Sequence, residues 1–197
     1  MKNIVIFILL FVCENTFSQY HPKNVTNYYN KIVMSGEYSG KLVDPIKWTK
    51  DMNIYVDGEN RDYLVSELNG IVKELNDLID PIEIKIVNKK EDANYFIFFG
   101  YYKDFKKTYS VVNQHLLENN WGLFEVYRNN YGIMYVDIVR TVNIEAQKHL
   151  LREELTQSLG FLNDSYDYPE SIFYEGWTTT TKYSYIDKEI IKMHYNK

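Results

Sequence analysis

The chain has 197 residues, a formal net charge of −5 and one cysteine, Cys13. Lysine and arginine are scattered, so the sequence lacks the basic stripe that follows a phosphate backbone, and nucleic-acid binding is not expected. Beyond the N-terminal leader, no apolar run is long and uncharged enough for a permanent membrane span, which takes about 20 residues. The roughly 180 residues that follow the leader suit one domain.

Residues 1–18 have the pattern of a cleaved export signal. A short positive start precedes the apolar run 4–12, and Thr16 and Ser18 supply small side chains before a cut at Gln19. A lipid anchor at Cys13 is the alternative, although bulky residues precede that cysteine. We therefore predict an exported bacterial protein, periplasmic or secreted, whose mature chain has no disulfide.

The mature chain divides into a polar N-terminal arm, residues 19–47, and a domain, residues 48–197. The arm is interrupted by proline and glycine, and residues 41–43 are its one candidate strand. Hydrophobic periodicity predicts strands at 52–56, 82–86, 95–99, 122–127 and 133–139, and helices at 60–79, 103–119, 144–162 and 185–195. Asn143 is the expected N-cap of the third helix, and Ser184 with Asp187 forms a capping box before the last. This order of elements predicts an α+β fold with a mixed sheet.

The helix at 144–162 has two distinct faces when its side chains are placed at steps of about 100°. One face is apolar and carries Leu151, Leu155, Leu159 and Leu162. The nearly opposite face carries His149, Glu153 and Gln157, and Glu154 lies to one side of it. The layout suits a helix that presents polar groups to a cleft, but an ordinary amphipathic helix with a solvated polar face has it too.

The same helix matches the frame of the zinc-protease motif H-E-x-x-H-x-x-G-x-x-H without its histidines. Glu154 occupies the position of the general base, and Gly160 the position of the glycine. The three ligand positions are occupied by Glu153, Gln157 and Asn163, with Asp164 next in the chain. The frame of the motif is retained, whereas the usual metal ligands are replaced.

Residues 153–165, EELTQSLGFLNDS, resemble the pattern E-E-L-x-Q-x-L-G-L-x-N-D-S of an exported bacterial domain family of unknown function. That family is similar to a divergent branch of the zincin-like metallopeptidases, and the resemblance extends over residues 48–195. It implies a zincin-like single domain with a central motif helix, in which the hairpin at 122–139 covers the cleft. It implies no activity, because none is known for the family.

The exchanged residues do not suit zinc, which prefers histidine, cysteine and carboxylate ligands to amide oxygens. We therefore expect no cofactor; a hard divalent cation held by oxygens is the alternative. The leading hypothesis is a non-proteolytic protein whose cleft binds a peptide or another extracellular ligand. The predicted cleft residues are Glu153, Glu154, Gln157, Asn163 and Asp164.

Two other hypotheses remain for the same residues. One is an atypical metallohydrolase with Glu154 as general base, and the other is a structural or interaction protein without an active cleft. Glu153 and Glu154 point about 100° apart on a helix, which argues against both acting on one substrate. Trp121 and Trp177 are candidates for the cleft wall or for the core and its rim, and His194 is expected at a frayed C-terminus.

Overall fold

A five-stranded mixed sheet forms the centre of the protein in a computed structural model that describes residues 22–34, 44–109 and 114–195. The strands are β1 (Met52–Gly58), β2 (Ile84–Ile86), β3 (Tyr95–Gly100), β4 (Gly122–Tyr127) and β5 (Tyr131–Asp137). The helices are α1 (Pro22–Val33), α2 (Asp62–Leu78), α3 (Tyr102–Thr108), α4 (Gln114–Asn119), α5 (Ile144–Gln157) and α6 (Tyr185–Tyr195). The α+β class with a mixed sheet is therefore confirmed.

The strand order is β2-β1-β3-β5-β4, and β4 alone among these strands runs antiparallel to its neighbour. β3 lies in the middle and is buried along its whole length, as its continuous apolar sequence predicts. The β4–β5 hairpin turns at Asn130, whose φ of 57° is the left-handed conformation that asparagine tolerates. The antiparallel strand therefore forms one edge of the sheet.

The two faces of the sheet carry different cores. One face packs against α2 and α5, and α1 and α6 contribute to the same, mostly aliphatic core. The other face carries a smaller, mainly aromatic cluster that includes Phe96, Phe98, Phe105, Tyr109 and Tyr135. Much of the unusual aromatic content thus packs in the interior, where ring pairs add to the energy of burial.

The prediction of a polar arm at residues 19–47 is wrong for the described part of that segment. Pro22–Val33 forms α1, which packs against α6. Tyr28, Tyr29, Ile32 and Val33 are buried on one side of this helix at a spacing of three to four residues. The candidate strand at 41–43, the leader at 1–18 and Cys13 lie outside the described residues.

The motif helix is shorter than predicted. Its N-cap is confirmed, because the Asn143 side chain accepts a hydrogen bond from the Ala146 amide at 3.1 Å. The helix ends at Gln157, and a turn with Gly160 at φ 116° follows. A Cβ at Gly160 would lie 1.9 Å from the Ile46 carbonyl oxygen, so only glycine allows this close approach.

Two further helix predictions have different outcomes. The single helix expected at 103–119 is wrong, since α3 ends at Thr108 where Tyr109 adopts an extended backbone, and α4 begins at Gln114. The last helix spans the predicted residues, Tyr185–Tyr195. Its capping box is confirmed, because the Ser184 amide donates to the Asp187 carboxylate at 2.8 Å and the Asp187 amide donates to Ser184 Oγ at 3.3 Å.

Candidate functional site

Helix α5 presents its polar side chains to a pocket at the antiparallel edge of the sheet. Leu151 and Leu155 are fully buried in the main core, which fixes the rotation of the helix. Helix α5 also packs against β4 and β5, so the hairpin lies beside it. A cavity of about 470 Å³ opens between α5, residues 119–122, and a third wall formed by residues 164 and 174–178.

Arg140 fixes the wall formed by residues 119–122. Its guanidinium group donates to the carbonyl oxygens of Leu117 at 2.8 Å and Asn120 at 2.7 Å. Its Nε donates to the carboxylate of Asp137 at 2.5 Å, and the Asp137 side chain is fully buried. Since charged hydrogen bonds of this kind are strong and directional, this wall is formed without a ligand.

The wall formed by residues 164–178 is held from behind by the buried carboxylate of Asp187. Ser171 Oγ donates to Asp187 Oδ1, and both side chains are fully buried. Further along the segment, the Ser165 amide donates to the Phe173 carbonyl at 2.9 Å. These bonds give a segment without regular secondary structure a defined backbone path, so the third wall is also preformed.

His149 and Glu153 form a pair on the floor of the pocket. His149 Nδ1 lies 2.7 Å from the Thr180 carbonyl, which can only accept, so this nitrogen carries a proton. Nε2 lies 3.3 Å from Glu153 Oε2, and the two side chains are 7% and 14% exposed. Burial lowers the pKa of His149, but the hydrogen bond and charge of Glu153 outweigh this effect and leave that pKa raised.

Gln157 and Asp164 form a second pair. Gln157 Nε2 donates to Asp164 Oδ1 at 2.7 Å, and both residues line the pocket. Gln157 is 7% exposed and is the last residue of α5, so the bond ties the helix to the third wall. The amide of Gln157 thus acts as the hydrogen-bond donor to Asp164, which follows the turn.

Glu154 differs from these neighbours because no described residue donates a hydrogen bond to its carboxyl group or pairs with it as a cation. The side chain is half-buried and packs over Gly122, where an added Cβ would lie 2.4 Å from Glu154 Oε1. Burial raises the pKa of Glu154 well above its usual range, and the charges of Glu153 and Asp164 raise it further. The pocket therefore contains one carboxyl group whose polar requirements the described residues do not meet.

Four of the five predicted cleft residues meet in this pocket: Glu153, Glu154, Gln157 and Asp164. Asn163 does not line it, because its side chain is buried against α1 and donates to the Ile32 carbonyl at 3.0 Å. Glu153 and Glu154, which are expected to point about 100° apart, both line this pocket.

The side chains at the zinc-ligand positions do not fit a zinc ion. Glu153 is bonded to His149, Gln157 donates to Asp164, and Asn163 points to α1 rather than into the pocket. Within residues 22–34, 44–109 and 114–195, no group of three or more His, Cys, Asp or Glu side chains could hold a metal ion. This donor set gives no basis for zinc chemistry at α5.

Several residues of the site were not predicted from the sequence. The sequence left open whether the His149 face is solvated or lines a cleft; His149 is 6% exposed, because the segment before α6 folds over it. Arg140 and Asp187, which fix two of the walls, were not singled out for that role. Trp121 and Trp177, in contrast, were candidates for the cleft wall or for the core and its rim; both line the pocket, with ring centroids 6.2 Å apart and exposures of 44% and 70%.

Comparisons with known proteins identify a family and several similar structures, among them two of myroilysin. The family model described as "Protein of unknown function (DUF2927)" matches residues 22–197. No curated protein matches the chain significantly. One structure of myroilysin has a TM-score of 0.49 and 13% identity and covers 91% of this chain and 98% of its own. Another has a TM-score of 0.46 and 11% identity and covers 77% of this chain and 96% of its own.

Proposed function

Because this chain belongs to the DUF2927 family, whose function is unknown, we propose a function from the pocket itself. The protein is an exported binding protein, and its pocket takes up a peptide or another extracellular ligand. The observation that carries this proposal is the Glu154 carboxyl group, which has no partner among the described residues although it lies in a preformed pocket. Glu154 is then the main polar contact of the ligand.

A half-buried carboxyl group without a protein partner has a cost. Its partial removal from water without a hydrogen bond or counter-ion disfavours the ionised form, and proteins usually pair such groups. Here the other two carboxylates near Glu154 have partners, namely His149 and Gln157. A group that disfavours folding but points into a pocket is typical of a site whose partner arrives from solution.

The pocket is also enclosed well enough to hold part of a ligand. Its volume of about 470 Å³ is within the range of small-molecule sites, roughly 300–1,000 Å³. Two tryptophans at the pocket offer apolar surface beside the carboxyl and amide groups of α5. A peptide suits this combination, since it presents backbone donors together with apolar side chains.

A peptide library tests the proposal. The protein is purified from the envelope or medium of a bacterial host, and positional-scanning libraries of acetylated hexapeptides are titrated against it by tryptophan fluorescence and calorimetry. We expect selected peptides to bind, and we expect Glu154→Gln and Trp177→Ala to weaken the binding. Glu145→Gln, on the exposed part of the same helix, and Tyr185→Ala are the matched controls and should bind as the parent does.

Two results would count against the proposal. Absence of binding by every library would exclude peptides and favour a structural role. Equal binding by the parent and by both pocket variants would place the binding site elsewhere. Export is tested separately by N-terminal sequencing of the purified protein, for which we expect Gln19 as the first residue.

A second candidate function is hydrolysis with Glu154 as general base. The raised pKa of Glu154 favours this, because a general base works best when its pKa lies near the working pH. Fluorogenic peptides incubated with the parent and with Glu154→Gln, with and without added divalent cations, separate the two functions. Turnover by the parent that the variant lacks would support catalysis, and binding without turnover would leave the binding function alone.

A further inference from the structure

The pocket carries more acidic than basic groups. Its walls include the carboxyl groups of Glu153, Glu154, Asp164 and Glu175. No lysine or arginine is among the described residues that line it, and the basic side chain found there, His149, is already bonded to Glu153. The acidic groups of the pocket are therefore concentrated around Glu154 and along the third wall.

Glu154 is the carboxyl group of this pocket for which the described residues supply no partner. Asp164, by contrast, accepts a hydrogen bond from the Gln157 amide. Glu154 has no donor or cation among the described residues, and its nearest charged neighbours, Glu153 and Asp164, have its own sign. A cation beside Glu154 would favour its ionised form, whereas an anionic ligand would be repelled by the acidic groups around it and a neutral ligand would do neither.

The two tryptophans at the pocket also favour a positively charged ligand. Trp121 and Trp177 meet edge to face, with an interplanar angle of 88°. The two residues are 44% and 70% exposed, so both indole rings offer apolar surface to a ligand at the pocket. The face of an indole ring attracts cations, and its area also covers the methylene groups of an alkyl stem.

We infer that the ligand of this pocket carries an ammonium group on an apolar stem, as the side chain of a lysine in a peptide does. The ammonium group bonds to Glu154, with Asp164 nearby, and the stem lies against Trp121 and Trp177. A bare metal ion is a poorer match, because no described cluster of three or more His, Cys, Asp or Glu side chains could hold one. The inference rests on the proposed binding function and names the chemical class of its ligand.

Three peptides that differ at one side chain test the inference. The best sequence from the library experiment is synthesised with lysine, norleucine or glutamate at its most selective position, and each is titrated calorimetrically into the purified protein. Norleucine keeps the apolar stem and lacks the amine, so the ratio of the lysine and norleucine affinities isolates the ammonium group.

The expected results separate the contributions of charge and stem. The lysine peptide should bind about tenfold tighter than the norleucine peptide, which corresponds to about 1.4 kcal/mol, and the glutamate peptide should bind more weakly than both. Glu154→Gln should remove most of the lysine preference. Trp177→Ala should weaken the lysine peptide by about threefold, as expected for a cation above an exposed ring. Glu145→Gln should match the parent protein.

Each other outcome has a definite meaning. If lysine and norleucine peptides bind equally well, the ammonium inference is wrong while the binding function stands. If the glutamate peptide binds best, the charge argument is reversed and also fails. If no peptide binds in any form, both the inference and the peptide-binding function are refuted. A lysine preference that persists unchanged in Glu154→Gln would exclude Glu154 as the contact.

Discussion

His194 should make the protein sensitive to mild acid. Its ring is fully buried, with Nε2 3.0 Å from the Ile46 carbonyl and Nδ1 3.1 Å from the Tyr29 hydroxyl. It thereby joins the segment before β1 and helix α1 to α6. Burial, with a smaller contribution from the charge of Lys47, lowers the pKa of His194 from 6.5 to about 4.

The size of the effect follows from proton linkage. Because the folded pKa lies below that of the unfolded chain, the unfolded state binds the proton first as the pH falls from 6.5 towards 4. Stability is therefore full above about pH 6.5 and is lost through this window. Between pH 7 and pH 5 the loss from His194 amounts to about 2 kcal/mol.

Urea unfolding of the parent and of His194→Gln at pH 7, 6 and 5 measures this loss. Glutamine retains a donor for the Ile46 carbonyl but does not titrate. Other titrating groups are present in both proteins, so their contributions cancel in the difference. We expect the parent to lose about 2 kcal/mol more than the variant between pH 7 and pH 5. Parallel pH dependence of the two proteins would refute the reasoning.

Three further predictions concern the pocket. Glu154→Gln should be more stable than the parent, by an amount that grows as the pH rises above the ordinary glutamate range. The reason is that the folded state disfavours the ionised carboxyl group of the parent, and glutamine carries none. A difference in melting temperature that does not grow between pH 4 and pH 8 would contradict this prediction. Gly122→Ala should displace the flexible Glu154 side chain, which lies within 3 Å of the added Cβ, and cost no more than about 1 kcal/mol in urea unfolding, whereas Gly70→Ala, with nothing within 4 Å, should stabilise α2 by about 0.5–1 kcal/mol. Elemental analysis of the natively purified protein should find no stoichiometric zinc, and one zinc per chain that Gln157→Ala abolishes would overturn our assignment of the ligand positions.

Much of the fold could be predicted because its signals are local. The strand at Tyr95–Gly100 is a continuous apolar run, and the capping box at Ser184 specifies where α6 begins. The pattern of α1 is equally regular, but its buried side chains are tyrosines, isoleucine and valine scattered among polar residues. In such a sequence a packed helix and a polar arm look alike until the partner helix is known.

The candidate site could be predicted only in part, for a related reason. Periodicity places Glu153, Glu154 and Gln157 on one side of a helix. Periodicity does not reveal which segment covers that side of the helix. The covering segment includes Thr180, which lies beyond the end of the helix. The prediction of Asn163 as a cleft residue is wrong because, after the turn at Gly160, its side chain lies against α1. That helix was not predicted from the sequence.

The most direct test of the account is the affinity of one lysine-containing peptide for the parent protein and for Glu154→Gln, measured side by side at pH 7.5. The account predicts saturable one-to-one binding to the parent and at least tenfold weaker binding to the variant, although the variant is the more stable protein. Equal affinity for the two proteins, or no binding to either, would contradict the claim that Glu154 is the binding group of this pocket.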